Sequence, residues 1–213
     1  LQVPAGEFFA FLGPNGAGKT TTIKMITGLL RPTQGSVQIA GHDVQEEYIA
    51  AKSILSYVPD QPYLYDKLSG REFLHFVGRM YGLKRPAIER EIDRLAETFG
   101  LSHFLDELGE TYSHGMKQRV VLSAALLHDP RVLVIDEPLV GLDPRGASVL
   151  KEVFTRRADQ GTAIFMSTHT LSLAEELADR VGIIHNGRII ALGELDEIRD
   201  MAETGGRLEE AFL

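Results

Sequence analysis

The residues best suited to chemistry lie near the start of the chain, at positions 13–20 (GPNGAGKT), where glycines precede a lysine and a threonine. Glycines allow a tight turn whose backbone N–H groups point inward, and a helix beginning near Lys19 would add its positive dipole end. The pattern therefore predicts a phosphate-binding loop in which Lys19 reaches the outer phosphates and the Thr20 hydroxyl binds magnesium. A glycine-rich turn that only connects a strand to a helix is the simpler alternative.

Two adjacent carboxylates, Asp136 and Glu137, follow an apolar run (VLVI) at positions 132–135. A buried strand would deliver both to its carboxyl end, where open parallel sheets bind ligands. Asp136 is then a candidate for the magnesium shell, and Glu137 for the group that accepts a proton from an attacking water or orients it. Two solvated acids before Pro138 are the alternative, which a phosphate loop in the same chain disfavours.

The hydrophobic pattern predicts the elements that position these groups. A strand at 7–12 precedes the glycine-rich turn, and apolar residues then follow at helical spacing: Ile23, Ile26 and Leu30. Five further short runs are predicted to be strands: 36–39, 54–58, 132–135, 163–166 and 181–184. Helices between them indicate a largely parallel sheet. Asn186-Gly187, between IIH and RII, predicts a hairpin and an antiparallel edge.

The stretch from 69 to 127 shows helical patterns only, which predicts an inserted helical lobe. Ser69 and Glu72 have the spacing of a capping box, and Pro86 can open a second helix that Gly100 closes. The first of these helices is predicted to place four residues on one face: Phe73, Val77, Met80 and Tyr81.

Composition narrows the classes of protein. The 213 residues include no cysteine, which leaves no disulfide or thiolate metal site and fits a reducing cytoplasm. The formal net charge of -8 argues against broad nucleic-acid binding, which needs clustered Lys and Arg. No apolar run approaches the roughly 20 residues that span a bilayer, so we expect a soluble chain.

Several motifs in order resemble those of ABC ATPases. Residues 112–119 (YSHGMKQR) are similar to the family's signature segment and precede the Asp136-Glu137 strand. Positions 141–143 (GLD) resemble the D-loop, and 167–169 (STH) resemble the strand end that carries the switch histidine. Each motif alone has a simpler explanation, as a helix cap or a polar residue after a strand. Their shared order favours the family, over nearly all of the chain.

The resemblance implies an α/β fold, with a phosphate-loop NTPase (RecA-like) core, an inserted helical subdomain and a small antiparallel β portion. Within a single domain at 1–213, the core is expected at 1–60 and 128–213, and the helical subdomain at 61–127.

ATP and Mg²⁺ are the implied cofactors, and the resemblance assigns roles to individual residues. Lys19, Glu137 and His169 would carry hydrolysis, with His169 hydrogen-bonded to the terminal phosphate. Thr20 and Asp136 would hold the metal. The nucleotide-binding residues would be Gly13, Pro14, Asn15, Gly16, Ala17, Gly18, Lys19, Thr20 and Thr21. The signature residues would be Ser113, His114, Gly115 and Met116, with Asp143 in the D-loop and Asp60 in the Q-loop.

Two positions depart from the family pattern. Asp60 stands where the family often has the Q-loop glutamine, and a carboxylate there can bind magnesium or water but adds negative charge near phosphate. His114 replaces a glycine that is common in the signature, so its local backbone need not be the same.

The family's architecture also implies partners. Two subunits would pair head to tail as a homodimer, with the signature of one binding the nucleotide of the other. A separate membrane permease would place the chain at the cytoplasmic face. The segments YSHGMKQR, DEPLVGLDP and LEEAFL resemble ATPases of ABC-2 type exporters. The coupling helix of the permease would dock near four aromatics, about two of which we expect in the core: Tyr63, Tyr65, Phe73 and Phe76.

Two other functions fit parts of the pattern. A soluble ABC ATPase acting on nucleic acid or ribosomes usually has tandem phosphate loops, coiled coils or basic extensions, and a phosphate-loop kinase has no use for the signature.

Before Gly13 the only aromatics are Phe8, Phe9 and Phe11, all in the predicted buried strand. We therefore expect a chain truncated at its amino end and lacking the aromatic platform for adenine.

Overall fold

The computed structural model describes residues 1–198 and 200, so the segment LEEAFL and the end of the expected core lie outside the described residues. A six-stranded sheet has the order β4-β5-β6-β1-β7-β8, and a separate two-stranded sheet pairs β2 with β3. The strands are β1 (Phe8–Leu12), β2 (Gln38–Ile39), β3 (His42–Asp43), β4 (Leu55–Val58), β5 (Val132–Asp136), β6 (Ala163–Thr168), β7 (Arg180–His185) and β8 (Arg188–Gly193).

Seven α-helices surround the sheet in the described part of the chain. They are α1 (Lys19–Ile26), α2 (Tyr48–Ser53), α3 (Gly70–Met80), α4 (Arg85–Phe99), α5 (His114–Leu126), α6 (Pro144–Asp159) and α7 (Leu171–Leu177). None of the helices in the described residues is both long enough and apolar enough to span a membrane.

Strand β1 lies in the middle of the sheet, parallel to both β6 and β7. Its alternating side chains enter two cores: Phe8, Ala10 and Leu12 pack on one side of the sheet. Phe9 and Phe11 pack on the other, where both rings contact Phe165. Because all three phenylalanines are buried, as the sequence predicted, none is available to stack on a ligand.

The predicted antiparallel edge is confirmed. Strands β7 and β8 form a hairpin, and its turn residues Asn186 and Gly187 have φ angles of 48° and 74°. Asparagine and glycine tolerate this left-handed conformation better than other residues, so the dipeptide selects the tight turn.

The helical lobe contains α3, α4 and α5, as the sequence predicted. The capping box is present: the Ser69 hydroxyl accepts a hydrogen bond from the Glu72 N–H, and the Glu72 carboxylate accepts one from the Ser69 N–H. Pro86 lies in the first turn of α4, and Gly100 ends that helix with a φ of 64°.

Some local predictions were wrong because a contact between helices, or the point where an element ends, decided which residues are buried. Met80 is 70% exposed, so it does not belong to the buried face of α3. The buried residues of α3 are Gly70, Leu74 and Gly78, while the predicted Phe73 and Val77 are partly buried and pack against the same core. A Cβ at Gly78 would lie only 2.8 Å from the Ile88 side chain of α4. The small residue lets the two helices approach closely, which the apolar spacing of α3 does not reveal.

Two further predictions were too long. Leu30 is not helical but 42% exposed, because α1 ends at Ile26 and the chain turns at Gly28 with a φ of 68°. The predicted strand at 36–39 is reduced to Gln38–Ile39, which pairs with a short strand outside the main sheet.

A stacked pair of rings joins the helical lobe to the sheet. Tyr81, at the end of α3, stacks on His128 with ring centroids 3.5 Å apart, and its hydroxyl donates to the Leu55 carbonyl of β4. Neither ring nitrogen of His128 has a hydrogen-bond partner among the described residues. Burial therefore lowers the pKa of His128 to about 4.

We expect this histidine to make folding stability fall on acidification. In the unfolded chain the imidazole titrates near pH 6.5. In the folded chain it resists protonation until about pH 4, so stability is lost as the pH falls between these values. Because the ring is only partly buried, the loss is about 1 to 2 kcal/mol. Urea unfolding at pH 7.5 and pH 4.5 measures it, and His128→Phe should flatten the dependence. Equal flattening by His103→Phe, at an exposed position, would contradict this assignment.

Candidate functional site

The glycine-rich loop connects β1 to α1 and is shaped by close contacts. Gly16 and Gly18 have φ angles of 82° and 112°, which glycine adopts without strain. A Cβ at Gly13 would overlap the Ile184 carbonyl oxygen of β7. The Gly187 N–H donates to the Ala17 carbonyl at 2.9 Å, so the β7–β8 turn also supports the loop. The exposed stretch 14–16 leads into the amino end of α1, a favourable environment for an anion.

Lys19 lies across this loop. Its residue is only 6% exposed, and its ammonium donates to the Gly13 carbonyl at 2.7 Å and to the Pro14 carbonyl at 3.3 Å. Lys19 forms no ion pair with the described residues. A buried ammonium bonded only to neutral carbonyls is a strong attractor for a negatively charged ligand.

Asp136 and Thr20, the two residues that the resemblance assigns to the metal, lie in contact. The Thr20 hydroxyl donates to Asp136 Oδ2 at 3.0 Å, across 116 positions of the chain. The Ser167 hydroxyl donates a short hydrogen bond to Asp136 Oδ1, because Ser167 is opposite Asp136 in the β5–β6 register. The carboxylate is 1% exposed. These hydroxyl and carboxylate oxygens form a donor set of the type that Mg²⁺ prefers.

Glu137 follows immediately and pairs with the predicted switch histidine. Its Oε1 lies 2.8 Å from His169 Nδ1, and its Oε2 accepts a hydrogen bond from the Thr168 hydroxyl at 3.3 Å. Glu137 has a φ of 50°, and its N–H donates to the Ser167 carbonyl. A left-handed conformation at a non-glycine residue costs roughly 1 to 3 kcal/mol and often occurs at functional sites. The Glu137 carboxylate is therefore held at the carboxyl end of β5, beside Asp136.

The signature residues begin α5. Ser113 is its N-cap and accepts a hydrogen bond from the Met116 N–H at 3.3 Å. His114 is the first helical residue, and no positive φ is recorded for it, so the histidine is accommodated by ordinary helical backbone. No hydrogen bond or ion pair within the described residues joins 113–116 to the phosphate loop of the same chain. These residues are thus not part of the cluster around Lys19.

Asp143 and Asp60 are placed differently. Asp143 is the N-cap of α6 and accepts a hydrogen bond from the Gly146 N–H at 2.7 Å. Asp60 follows β4 and is exposed. Burial, together with the carboxylates of Asp136 and Asp60, raises the pKa of Tyr57 to about 12. Both carboxylates therefore act on one hydroxyl at the carboxyl end of β4.

Sequence reasoning did not single out three polar residues of this cluster: Tyr57, Ser167 and Thr168. The Ser167 and Thr168 hydroxyls were noted only as part of a motif, yet they donate hydrogen bonds to the carboxylates of Asp136 and Glu137, respectively. Polar residues at the carboxyl ends of adjacent strands were the available signal. That signal becomes specific only when the strand order is known.

Comparison with known proteins points in one direction. The family profile described as ABC transporter matches residues 1–140. The chain is 38% identical over 206 residues to the daunorubicin resistance ATP-binding protein DrrA3 of Streptomyces coeruleorubidus, covering 97% of this chain and 65% of that protein. It is 39% identical over 193 residues to the linearmycin resistance ATP-binding protein LnrL of Bacillus subtilis, covering 91% of this chain and 62% of that protein. The chain thus spans less than two thirds of the length of these relatives.

Solved structures agree with this result. An ATP binding subunit of an ABC transporter has a TM-score of 0.91 and 38% identity, covering all of this chain and 89% of its own. The cbiO1 protein of Clostridium perfringens, part of the cbiONQ complex, has a TM-score of 0.80 and 25% identity, with coverages of 99% and 87%. The predicted fold class, a phosphate-loop NTPase core with a helical lobe and an antiparallel portion, is confirmed.

Proposed function

This chain belongs to the ABC transporter family of ATP-binding proteins, and we propose that it binds and hydrolyses ATP to drive export through a separate membrane subunit. One observation carries the proposal. A phosphate loop with a buried lysine bonded to its own carbonyls lies next to a hydroxyl–carboxylate pair and a carboxylate–imidazole pair, at the carboxyl ends of the parallel strands. Together these groups can hold a triphosphate and activate water.

The phosphate loop would bind the nucleotide through residues 13–21. Backbone N–H groups and the start of α1 would hold the phosphates, and Lys19 would move from its carbonyl partners to the outer phosphates. Thr20 and Asp136 would hold Mg²⁺, whose charge neutralises phosphate oxygens. Their oxygens, 3.0 Å apart, fit this hard cation.

Glu137 would orient the attacking water and accept its proton as the water oxygen bonds the terminal phosphorus and ADP leaves. In this structure His169 contacts Glu137 Oε1. It would hydrogen-bond the terminal phosphate of the nucleotide bound by its own chain. Asp60 would contact the same region through the metal shell or a water molecule. It supplies a carboxylate where the family often has the amide of a glutamine. The contacts of Glu137 with His169 and Thr168 support the first two of these roles.

The complete site would require a second copy of the chain. Within the described residues no hydrogen bond joins 113–116 to the chain's own loop, although Ser113 caps a helix of 13 residues whose amino end suits a phosphate. We propose that they bind the nucleotide of the partner in a head-to-tail homodimer, with Asp143 near the shared interface. Each dimer would then hold two composite sites.

A heterodimer made of Lys19→Ala and Ser113→Arg chains is expected to recover ATPase activity that neither homodimer has. One of its two sites has an intact loop facing an intact signature, so about half of the wild-type rate is the upper limit for independent sites. Isolating heterodimers by two affinity tags and measuring phosphate release tests this.

The matched control places both changes on one chain and pairs that chain with the wild type. Under the trans arrangement this heterodimer has no intact site and should be inactive. If it keeps half of the wild-type activity while the first heterodimer is inactive, each site lies within one chain and the proposal is wrong.

An exposed aromatic cluster supports the membrane partner. Tyr63, Tyr65 and Phe76 are 70%, 46% and 42% exposed, and Tyr65 makes edge contacts with both other rings. Only Phe73 of the four predicted aromatics packs against the core, so the expectation that about two are core was wrong. Such a patch suits an apolar helix of a permease, which would place the chain at the cytoplasmic face of the membrane. The net charge of -8 disfavours nucleic acid as the alternative partner.

A further inference from the structure

A fully buried glutamine, Gln118, lies within α5 and bonds across to another element. It is 0% exposed, and its Nε2 donates to the Pro138 carbonyl at 3.2 Å. Its Oε1 has no hydrogen-bond partner among the described residues. A half-satisfied buried amide is less favourable than an apolar side chain of the same shape. Packing therefore gives no reason for an amide at this position, whereas its directed bond to Pro138 does.

The same two elements meet at two further points. A Cβ at Gly115 would lie 2.8 Å from the Gly141 carbonyl oxygen, and the His114 imidazole fills the space in front of Gly141. The segment 138–141 therefore packs directly against the first turns of α5. Because packed interiors do not deform freely, a shift of α5 must displace this segment.

The segment begins at the peptide bond that follows Glu137. Glu137 is held by its N–H bond to Ser167 on one side, and its carbonyl accepts the Val140 N–H on the other. Its φ of 50° lies in a narrow allowed region. Pro138 has a fixed φ, which removes one of the two backbone torsions that could absorb motion of its carbonyl and leaves only ψ. The geometry thus links the position of α5 to the orientation of the Glu137 carboxylate.

We propose that Gln118 is a positioning residue that couples the two nucleotide sites of the dimer. The inference rests on the proposed function, in which the start of α5 binds the partner's nucleotide while Glu137 acts on the chain's own. A phosphate bound at Ser113 pulls on α5, and Gln118 transmits this displacement through Pro138 to Glu137. Occupancy of one site then sets the geometry of the carboxylate in the other.

The experiment uses heterodimers with one reporter chain that keeps Lys19 and Glu137. Its partner carries either Lys19→Ala, which leaves the partner's own site empty, or Glu137→Gln, which lets that site fill without turnover. In both cases the reporter's site has an intact loop and an intact signature. The ratio of the two single-turnover rates, at an ATP concentration that fills the reporter's site but not the Lys19→Ala site, measures the coupling. We expect about 5- to 150-fold, the usual range for coupled sites.

Gln118→Leu in the reporter chain should bring this ratio to within about twofold of one. Gln118→Met, which keeps the unbranched shape, should do the same if the leucine variant folds poorly. The identical Gln118→Leu change in the partner chain should leave the ratio unaltered, because Glu137 of that chain is not being measured. Ser123→Ala in the reporter is a second control, since Ser123 is equally buried in α5 but bonds only its own helix.

The outcomes separate the inference from the proposed function. An unaltered ratio in the reporter variant, or an equal fall with the change in either chain, would show that Gln118 has no directional role. If the two single-turnover rates are equal in heterodimers that keep Gln118, coupling is refuted. The composite site would then still rest on the Lys19→Ala and Ser113→Arg result. Inactive heterodimers throughout would refute both.

Discussion

Glu137→Gln is expected to keep ATP binding and to lower steady-state hydrolysis by about a hundredfold or more, the usual effect of losing a positioned base. The amide has the same shape as the carboxylate, so its contacts with Thr168 and His169 can persist in altered form. It cannot accept a proton from water. The buried Asp136 and Thr20 remain in place, so the nucleotide should still bind.

Phosphate release measured at saturating ATP tests this effect, and size-exclusion chromatography with ATP should show a stable dimer because the nucleotide persists. Glu152→Gln is the control, since Glu152 is an exposed carboxylate on α6 away from the strand ends. Near-normal turnover by the Glu137 variant would remove this residue from the mechanism.

Lys19→Ala is expected to weaken ATP binding by about thirtyfold or more. Truncating one partner of a buried charge pair typically costs 2 to 5 kcal/mol, and 2 kcal/mol corresponds to about thirtyfold in affinity. Lys19 is the buried cation of the loop, so no neighbouring ammonium replaces it there. Calorimetric titration with a non-hydrolysable ATP analogue separates binding from turnover.

The control for this change is Lys24→Ala, because Lys24 lies on the same helix and is exposed. Thermal unfolding without nucleotide is also needed, since Lys19 holds the Gly13 and Pro14 carbonyls and its loss could loosen the loop. Unchanged affinity of a well-folded variant would contradict the assigned role.

Tertiary contacts corrected several expectations about which side chains are buried. On α3, Met80 is exposed and Gly78 is buried, whereas apolar spacing placed Met80 on one face with Phe73 and Val77. The close approach of Ile88 to Gly78 determines how α3 packs on α4. A helix reveals its apolar residues in its sequence, but the neighbour that covers them is specified elsewhere in the chain.

The sequence by itself determined features that depend on neighbouring residues: the phosphate loop between strand and helix, the capping box at Ser69, the end of α4 at Gly100 and the hairpin turn at Asn186. Backbone preferences and short-range hydrogen bonds act within a few residues, so local patterns suffice. Only the tertiary structure placed Thr20 on Asp136 and Gln118 on Pro138, across 116 and 20 positions. These contacts depend on the strand order and on how α5 packs, which long-range burial decides and no local pattern encodes.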